Sequence, residues 1–470
     1  MKKENALSAE KRHLKEQKEL AYLERKSAAS TKFLKYVGLA LVILTVVYIA
    51  DEIASNLYDK MKPYMIFDLC NIGSFSTSDP EYEGAISKMA IATIPTYILT
   101  FLLPLYKMLP DKFGRKPFLV INTLGMGLGM LLCMIAGNIY WYVIGTVVTT
   151  FFTPNDIQVI YIMEVAPQKH RAKFCSITKG IALMSVSLIG VLRSTFYSET
   201  NPESWRMVFL IPVLVALVIG VSCILLTHET PAYIKQRTDY LKKTDEERAN
   251  DEANRKAEAT GFLPAWRYIT HSKQLKWVLI VMCIFEVAVG IKGYENETLI
   301  AFGHLENINL FLIIEPLVYA IYAFFSGFLS DWMGRKNSCL LFAVTCILGQ
   351  LAFILLARNG AGIVAISIAN GIFYGGLWSF SDCLFFVIPA ESTPTHIRSS
   401  VTGVITYAGG IQMIVSMILG VMFSKIGSQN VSLLQLFTFI PILVIATILF
   451  AINIKETKDV DITDVEKANL

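Results

Sequence analysis

Charge is scarce in this chain of 470 residues: Asp, Glu, Lys and Arg together make up 17%, whereas a soluble domain carries about a quarter. Too little remains to coat a soluble surface, and a hydrophobic content of 54% points to a bilayer. The net charge of +4 gives no nucleic-acid signal, because Lys and Arg sit in short segments between apolar runs. The eight cysteines do not form a disulfide framework: seven fall in or beside apolar stretches, and Cys70 stands alone in an expected outer loop. A Walker-type phosphate loop, a His/Cys metal spacing and a nucleophile elbow are all missing, so an ATP-driven pump, an enzyme and a cofactor are not expected.

What the chain does have is long apolar runs. A hydrocarbon core of about 30 Å takes roughly 20 residues of helix, and twelve stretches qualify, near 34–57, 84–107, 117–136, 140–165, 173–197, 205–227, 275–303, 307–330, 338–357, 361–388, 398–424 and 431–453. The expected organisation is an N-terminal arm (1–33), a six-helix bundle (34–227), a charge-rich linker with short helices (228–273), a second six-helix bundle (274–454) and a tail (455–470). Lys and Arg concentrate before span one and after spans two, four, six and eight. The outer loops hold little, chiefly Lys60, Lys62, Arg206, Arg358 and Lys425. Both termini are therefore expected in the cytoplasm, with the protein in the plasma membrane. The arm has no apolar core followed by a cleavage site; it reads as a solvated tail, or alternatively as a contact for a partner or lipid headgroups.

Three polar signposts occur twice in the same order. Asp111-Lys-Phe-Gly-Arg115-Lys returns as Asp331-Trp-Met-Gly-Arg335-Lys, offset by 220; Glu164-x6-Arg171 returns as Glu391-x6-Arg398, and Glu229-Thr-Pro as Glu456-Thr-Lys, both offset by 227. Coincident offsets indicate a duplicated unit of about 200 residues, the plan of a two-halved membrane transporter. The charges of both signs at equivalent sites are expected to pair as a cytosolic gate that joins the bundles when the inner side is closed; the alternative is that they set topology and cap helices.

Ionisable residues inside the spans are selective. The central stretches of spans three, six, nine and twelve carry none, so these helices can face lipid. Asp51, Glu52, Asp156, Arg193, Glu286, Lys292, Glu315 and Asp382 mark spans one, four, five, seven, eight and ten, and a charge facing mid-bilayer lipid costs about 2.5 kcal/mol or more. The expected arrangement is four outer helices around a polar central path. Asp51, Glu52, Asp156, Glu286, Lys292 and Asp382, with the aromatics Tyr48, Tyr374 and Trp378, are the candidates for substrate or proton binding, since aromatic faces beside carboxylates suit an ammonium group and also stack on sugar rings. Lys292 can instead pair locally with Glu295. Arg193 and Glu315 lie near outer helix ends and are candidates for an outer gate. Asn296-Glu-Thr298 fits a glycosylation triplet.

The repeated motifs, with Tyr161-x2-Glu164-x2-Pro-x3-Arg171, Pro389-x-Glu391-x2-Pro-x3-Arg398 and His228-Glu-Thr-Pro-Ala-Tyr233, resemble those of the major facilitator superfamily, in its sugar-porter and organic-ion branch. The resemblance covers essentially the whole chain. It implies an all-α membrane protein of twelve transmembrane helices in two pseudo-symmetric six-helix bundles, alternating access, and a substrate site at mid-membrane. The chain departs from the family pattern in several places. Lys107 replaces the Gly that usually precedes the first motif Asp by four residues, while the second copy keeps Gly327, so the two gates are expected to differ in strength. Spans five and seven lack the sugar-porter glutamines, and the Arg that often opens helix four is missing. The expectation is a monomeric, proton-coupled transporter of a small polar organic solute, a cation or zwitterion ahead of a sugar, with membrane lipid as its surroundings. A transporter-like nutrient sensor is the alternative of another class.

Overall fold

The computed structural model describes residues 14–25, 37–73, 76–107, 109–153, 157–165, 171–244, 246–248, 250, 262–393 and 397–458. Twelve spans arise in two sets of six. In the first set they are Val37–Leu69, Pro80–Ala92 with Ile94–Lys107, Arg115–Met134, Ile139–Phe152 with Ile157–Val165, Arg171–Ser185 with Ser187–Phe196, and Trp205–Leu226. The second set comprises Lys273–Ile291 with Glu295–Ala301, Ile308–Met333, Arg335–Arg358, Ile363–Glu391, Arg398–Thr406 with Gly409–Ile426, and Val431–Asn453. Ten of these helices among the described residues are long and apolar enough to cross a membrane. Spans two and four complete the twelve in two pieces each, the first broken at Thr93; between the two pieces of the second, residues 154–156, which include Asp156, lie outside the described residues.

Local chemistry fixes the helix starts. Asp79 accepts from the N–H of Glu81 ahead of Pro80 in the first turn of span two, Asn138 accepts from Tyr140 and Trp141 at span four, and Ser272 accepts from Leu275 at span seven. Span one runs twelve residues beyond its expected end at 57, so Lys60 and Lys62 stand on a helix and not in a loop. The helix passes through Pro63, which has no N–H to give the Asp59 carbonyl. The Asn296 amide nitrogen supplies that bond at 3.1 Å, and this buried, engaged side chain is no glycosylation acceptor.

We call the end that carries the Gly-Arg-Lys turns the motif end and the other the far end. At the far end one buried apolar cluster runs through both halves, joining Ala50, Met61 and Tyr82 to Leu299, Phe311 and Ile366. Glycines permit the contact: a Cβ on Gly190 of span five would stand 2.8 Å from Ile313 of span eight, and one on Gly420 of span eleven 2.7 Å from Ala90 of span two. Toward the motif end the core divides, one cluster holding Leu44, Phe118 and Tyr161 and another holding Phe285, Phe342 and Phe450. Gly327 faces open space. The Lys107 side chain lies outside the described residues.

The arm is docked. Residues 14–25 form a helix whose Glu19 receives both Nε and Nη2 of Arg237 at 2.7 and 3.2 Å, while Glu16 receives Arg248 Nη1 at 3.1 Å. Leu23 is buried. This binds the arm to the linker helix Pro231–Lys242 in place of the expected solvated tail.

Candidate functional site

Span seven stops at Ile291 because the next three residues leave helical geometry: Lys292 is extended, Gly293 has φ +100° and Tyr294 φ +64°. A tyrosine in the left-handed region is held there by its surroundings at a cost of about 1–3 kcal/mol, here by stacking on Phe423 and by the Lys62 ammonium 4.3 Å from its ring centroid. The freed carbonyls of Ile291 and Gly293 accept from the Gln435 amide at 3.3 and 2.7 Å. Gln435 opens a π-helical turn of span twelve, Gln435–Phe439, a deviation frequent at functional sites.

The break places Lys292 over two aromatic faces, 5.2 Å from the Tyr374 centroid and 5.0 Å from that of Trp378. Tyr374 donates its hydroxyl to Glu295 Oε1 at 2.7 Å and packs against Tyr319. The local Lys292–Glu295 pair is not formed: the Lys292 ammonium has no carboxylate within 4 Å among the described residues, because the turn sends the two side chains apart. The result is an ammonium, a carboxylate and aromatic rings on one wall.

On the facing half, Asp51 is buried and accepts from Gln158 of span four at 2.9 Å. Tyr48 is buried beside it on span one and Glu52 is half-buried. Gln158 was not singled out from sequence, although an amide in an apolar span was its signal. Asp382 lies nearer the motif end, 3.1 Å from Lys179 of span five, and both are about half exposed. Charges within spans avoid lipid, so this half-exposed pair, which joins the two halves, is expected to face away from lipid. Glu286, on span seven, is buried with Oε2 unpartnered.

The far end is sealed by pairs that run from one half to the other. Lys60 of span one meets Glu315 of span eight at 2.8 Å, and Lys62 meets Glu297 of span seven at 2.8 Å. Tyr82 also donates to Glu297. Arg193 donates to Asn309 and lies 4.1 Å from the Tyr64 centroid. Arg193 and Glu315 are thus both at this seam, where they meet partners that the sequence does not reveal: Lys60 and Lys62, expected in an outer loop, stand on the span-one helix, and Glu297 lies inside the Asn296-Glu-Thr298 triplet.

At the motif end the two repeated networks have the same geometry, and each closes within its own half. Glu229 accepts from the backbone N–H groups of Arg115 at 2.9 Å and Lys116 at 3.2 Å, at the first turn of span three, where a carboxylate is favoured. Gly114 (φ +105°) is required, since a Cβ there would lie 2.5 Å from Glu229. Arg115 Nε meets Glu164 at 3.2 Å, and Thr230 donates to the same carboxylate. In the second copy Glu456 accepts from the N–H of Arg335 at 2.7 Å and of Lys336 at 3.1 Å, Arg335 meets Glu391 at 3.0 Å and Asp331 at 2.7 Å, and Thr457 donates to Glu391 at 2.6 Å. Burial pushes the Glu456 carboxyl up, but the backbone N–H groups of Lys458, Arg335, Lys336 and Thr457 outweigh it and hold the group below its ordinary value. In this conformation these pairs lie inside each half, where they tie spans two, three and four to the segment after span six, and likewise for their counterparts. The side chains of Asp111, Arg171 and Arg398 lie outside the described residues.

Comparison with known proteins fits this architecture. The sequence profile of the Major Facilitator Superfamily matches residues 30–417. The proline/betaine transporter of Escherichia coli strain K12 is 23% identical over 424 residues, covering 82% of this chain and 77% of that protein. Among solved structures, the inward open xylose transporter XylE from Escherichia coli aligns with a TM-score of 0.67 at 15% identity, covering 92% of this chain and all of that one. A bacterial homolog of the human lysosomal transporter Spinster, inward-facing and unoccupied, aligns at 0.57 with 16% identity, covering 90% and 97%. With its duplicated turns, its two sets of six spans and a family match over most of its length, this integral membrane protein belongs to the Major Facilitator Superfamily of transporters.

Proposed function

We propose that the protein is a proton-coupled secondary transporter that carries a small zwitterionic solute, bearing a carboxylate and an ammonium group, by alternating access. The observation that carries this reading is the wall at the span-seven break. The Lys292 ammonium, without an ion pair among the described residues, can take a carboxylate. The rings of Tyr374 and Trp378, with Glu295 and the half-buried Glu52, suit a cation. A solute with both charges satisfies both partners and adds no net charge to a low-dielectric site. The Escherichia coli relative named for proline and betaine points to the same substrate class.

The motif end, beside the Lys and Arg clusters and the docked arm, is read as cytoplasmic, with both termini inside the plasma membrane. The conformation is then inward-facing: the Lys60–Glu315 and Lys62–Glu297 pairs form the outer gate, Lys179 and Asp382 stand at the mouth of the inner vestibule, and the motif networks keep each half rigid as it rocks. The protein acts as a monomer surrounded by lipid. A sugar is the second reading, favoured by the fold likeness to the xylose transporter and by the aromatic wall. A sensor reading draws on the docked arm; deleting residues 1–30 separates it, since a transporter keeps uptake.

The test is thermal stability of the purified protein with betaine, proline, simple amines, organic anions and sugars. A ligand at about 100 times its Kd stabilises by about 2.7 kcal/mol. Stabilisation by betaine or proline that is lost in Lys292→Ala supports the reading. Stabilisation by sugars alone overturns it.

A further inference from the structure

Four carboxyls in the described spans are buried: Asp51, Glu286, Glu297 and Glu315. Asp51 holds Gln158, Glu297 holds Lys62 and Glu315 holds Lys60. Glu286 stands apart. Its residue is 2% exposed and its Oε2 is enclosed without a hydrogen-bond partner. An isolated carboxylate in such a place is costly, and most of that cost is removed when the group carries a proton.

The charged group that acts on Glu286 is Lys292, at the end of the same helix, and the titratable neighbour one turn back is Cys283. The other charged groups described on the packed elements lie away from it or are engaged elsewhere: Arg267 and His271 precede span seven, about four turns from Glu286, and Glu391 at the end of span ten pairs with Arg335. Span eleven meets this stretch through Val415 and the Gln412 carbonyl at Gly290, one turn from Glu286; its Tyr407 lies at the break between its two helices, against Phe262, and its Lys425 at its end. Span twelve has no ionisable residue between Val431 and Asn453. Span ten presents Phe380 to Phe285, while its Tyr374 serves Glu295 and its Asp382 serves Lys179.

We propose that Glu286 is the site that takes up and releases the coupled proton, and that it does so by competing with the solute for Lys292. This rests on the transport reading above. With the proton on Glu286 the group is neutral, and the Lys292 ammonium is left to the carboxylate of the solute. When the proton passes to water in the open vestibule, the new carboxylate draws the field of Lys292 to itself and the solute is released. One proton and one zwitterion thus travel in the same direction, and the loaded site carries the same charge as the site with both removed plus one proton.

Infrared difference spectroscopy of the purified full-length protein, stepped from mildly acid to mildly alkaline buffer, tests the proton site without needing a substrate. The expected result is a titrating carboxylic C=O band that is lost in Glu286→Gln, retained at a shifted position in Glu286→Asp and retained in Asp51→Asn. A band that survives in Glu286→Gln, or vanishes instead in Asp51→Asn, overturns the assignment. A Glu286→Gln protein that elutes as an aggregate is replaced by the Glu286→Asp comparison, where an unshifted band counts against it. In proteoliposomes loaded to opposite pH, radiolabelled betaine is expected to accumulate against its gradient with the wild-type protein and to lose that accumulation in Glu286→Gln. Absence of betaine uptake by the wild type overturns the zwitterion reading and with it the competition for Lys292, while the infrared band still decides the proton site.

Discussion

At the motif end the ion pairs of both repeated networks, Arg115–Glu164 and Arg335–Glu391, close within a single half. At the far end Lys60–Glu315 and Lys62–Glu297 cross from one half to the other, and the apolar core crosses with them. The same kinds of residue therefore do different work according to where the halves touch. Pairs inside a half build two rigid bodies. Pairs between the halves hold one end shut, and they must break whenever the transporter turns over. A crossing pair can bias the equilibrium between two states only by the difference in its free energy between them. That difference is large where the pair is buried, as with Glu315 and Glu297, whose side chains are 1% and 2% exposed.

The contrast can be broken deliberately. Arg115→Ala is expected to have the largest effect, about 3 kcal/mol of lost stability, because it leaves Glu164 and the Pro110 carbonyl without their buried guanidinium. It should lower the melting temperature without changing which end is open. Lys62→Ala removes a crossing pair instead and leaves Glu297 with Tyr82 alone. It should shift the conformational balance toward far-end opening by about 2 kcal/mol, read as a longer spin-label distance across that end. A melting temperature that falls while the distance stays fixed would show that Lys62 acts as a staple and not as a gate.

The half-exposed Lys179–Asp382 pair should contribute less than about 1 kcal/mol. Lys179→Ala is therefore expected to change motif-end crosslinking only slightly, and to less extent in high salt. The smallest effect concerns Glu456. Its carboxyl is lowered in the folded state, so its stabilisation is fully present above the ordinary value and is lost as pH falls through the folded one. Glu456→Gln should remove that stabilisation at neutral pH and leave the acid end, where the wild-type carboxyl is protonated as well, little altered, so that the profile flattens, as measured by melting temperature against pH.

Much of this was legible in the order of residues. Twelve apolar runs gave twelve spans, since a bilayer demands about 20 residues of satisfied backbone each time. The repeated Gly-Arg-Lys turns with Glu164, Glu229 and their counterparts gave two networks of the same geometry, because a duplicated unit refolds into the same contacts. Partners across the molecule were not legible. Lys60 and Lys62 read as loop residues because the apolar run of span one ends near 57; the helix continues past them and through Pro63, where Asn296, more than two hundred positions away, supplies the bond that proline cannot. Lys292 and Glu295 looked like a local pair because they are three residues apart, and the left-handed Tyr294 between them removes the helical geometry on which that spacing depends.

The sequence by itself determined that the chain lives in a membrane, that it was doubled, and which carboxylates and cations would have to be hidden from lipid. Periodicity, composition and repeat offset are properties of neighbours along the chain, and they survive without coordinates. Only the tertiary structure decided which charges meet, because Asp51 with Gln158, Lys60 with Glu315 and Lys62 with Glu297 are chosen by helix packing over separations of 107, 255 and 235 residues. It decided too that Glu286 is left without a hydrogen-bond partner for its enclosed oxygen. That fact depends on every helix around it, and no local pattern can record it.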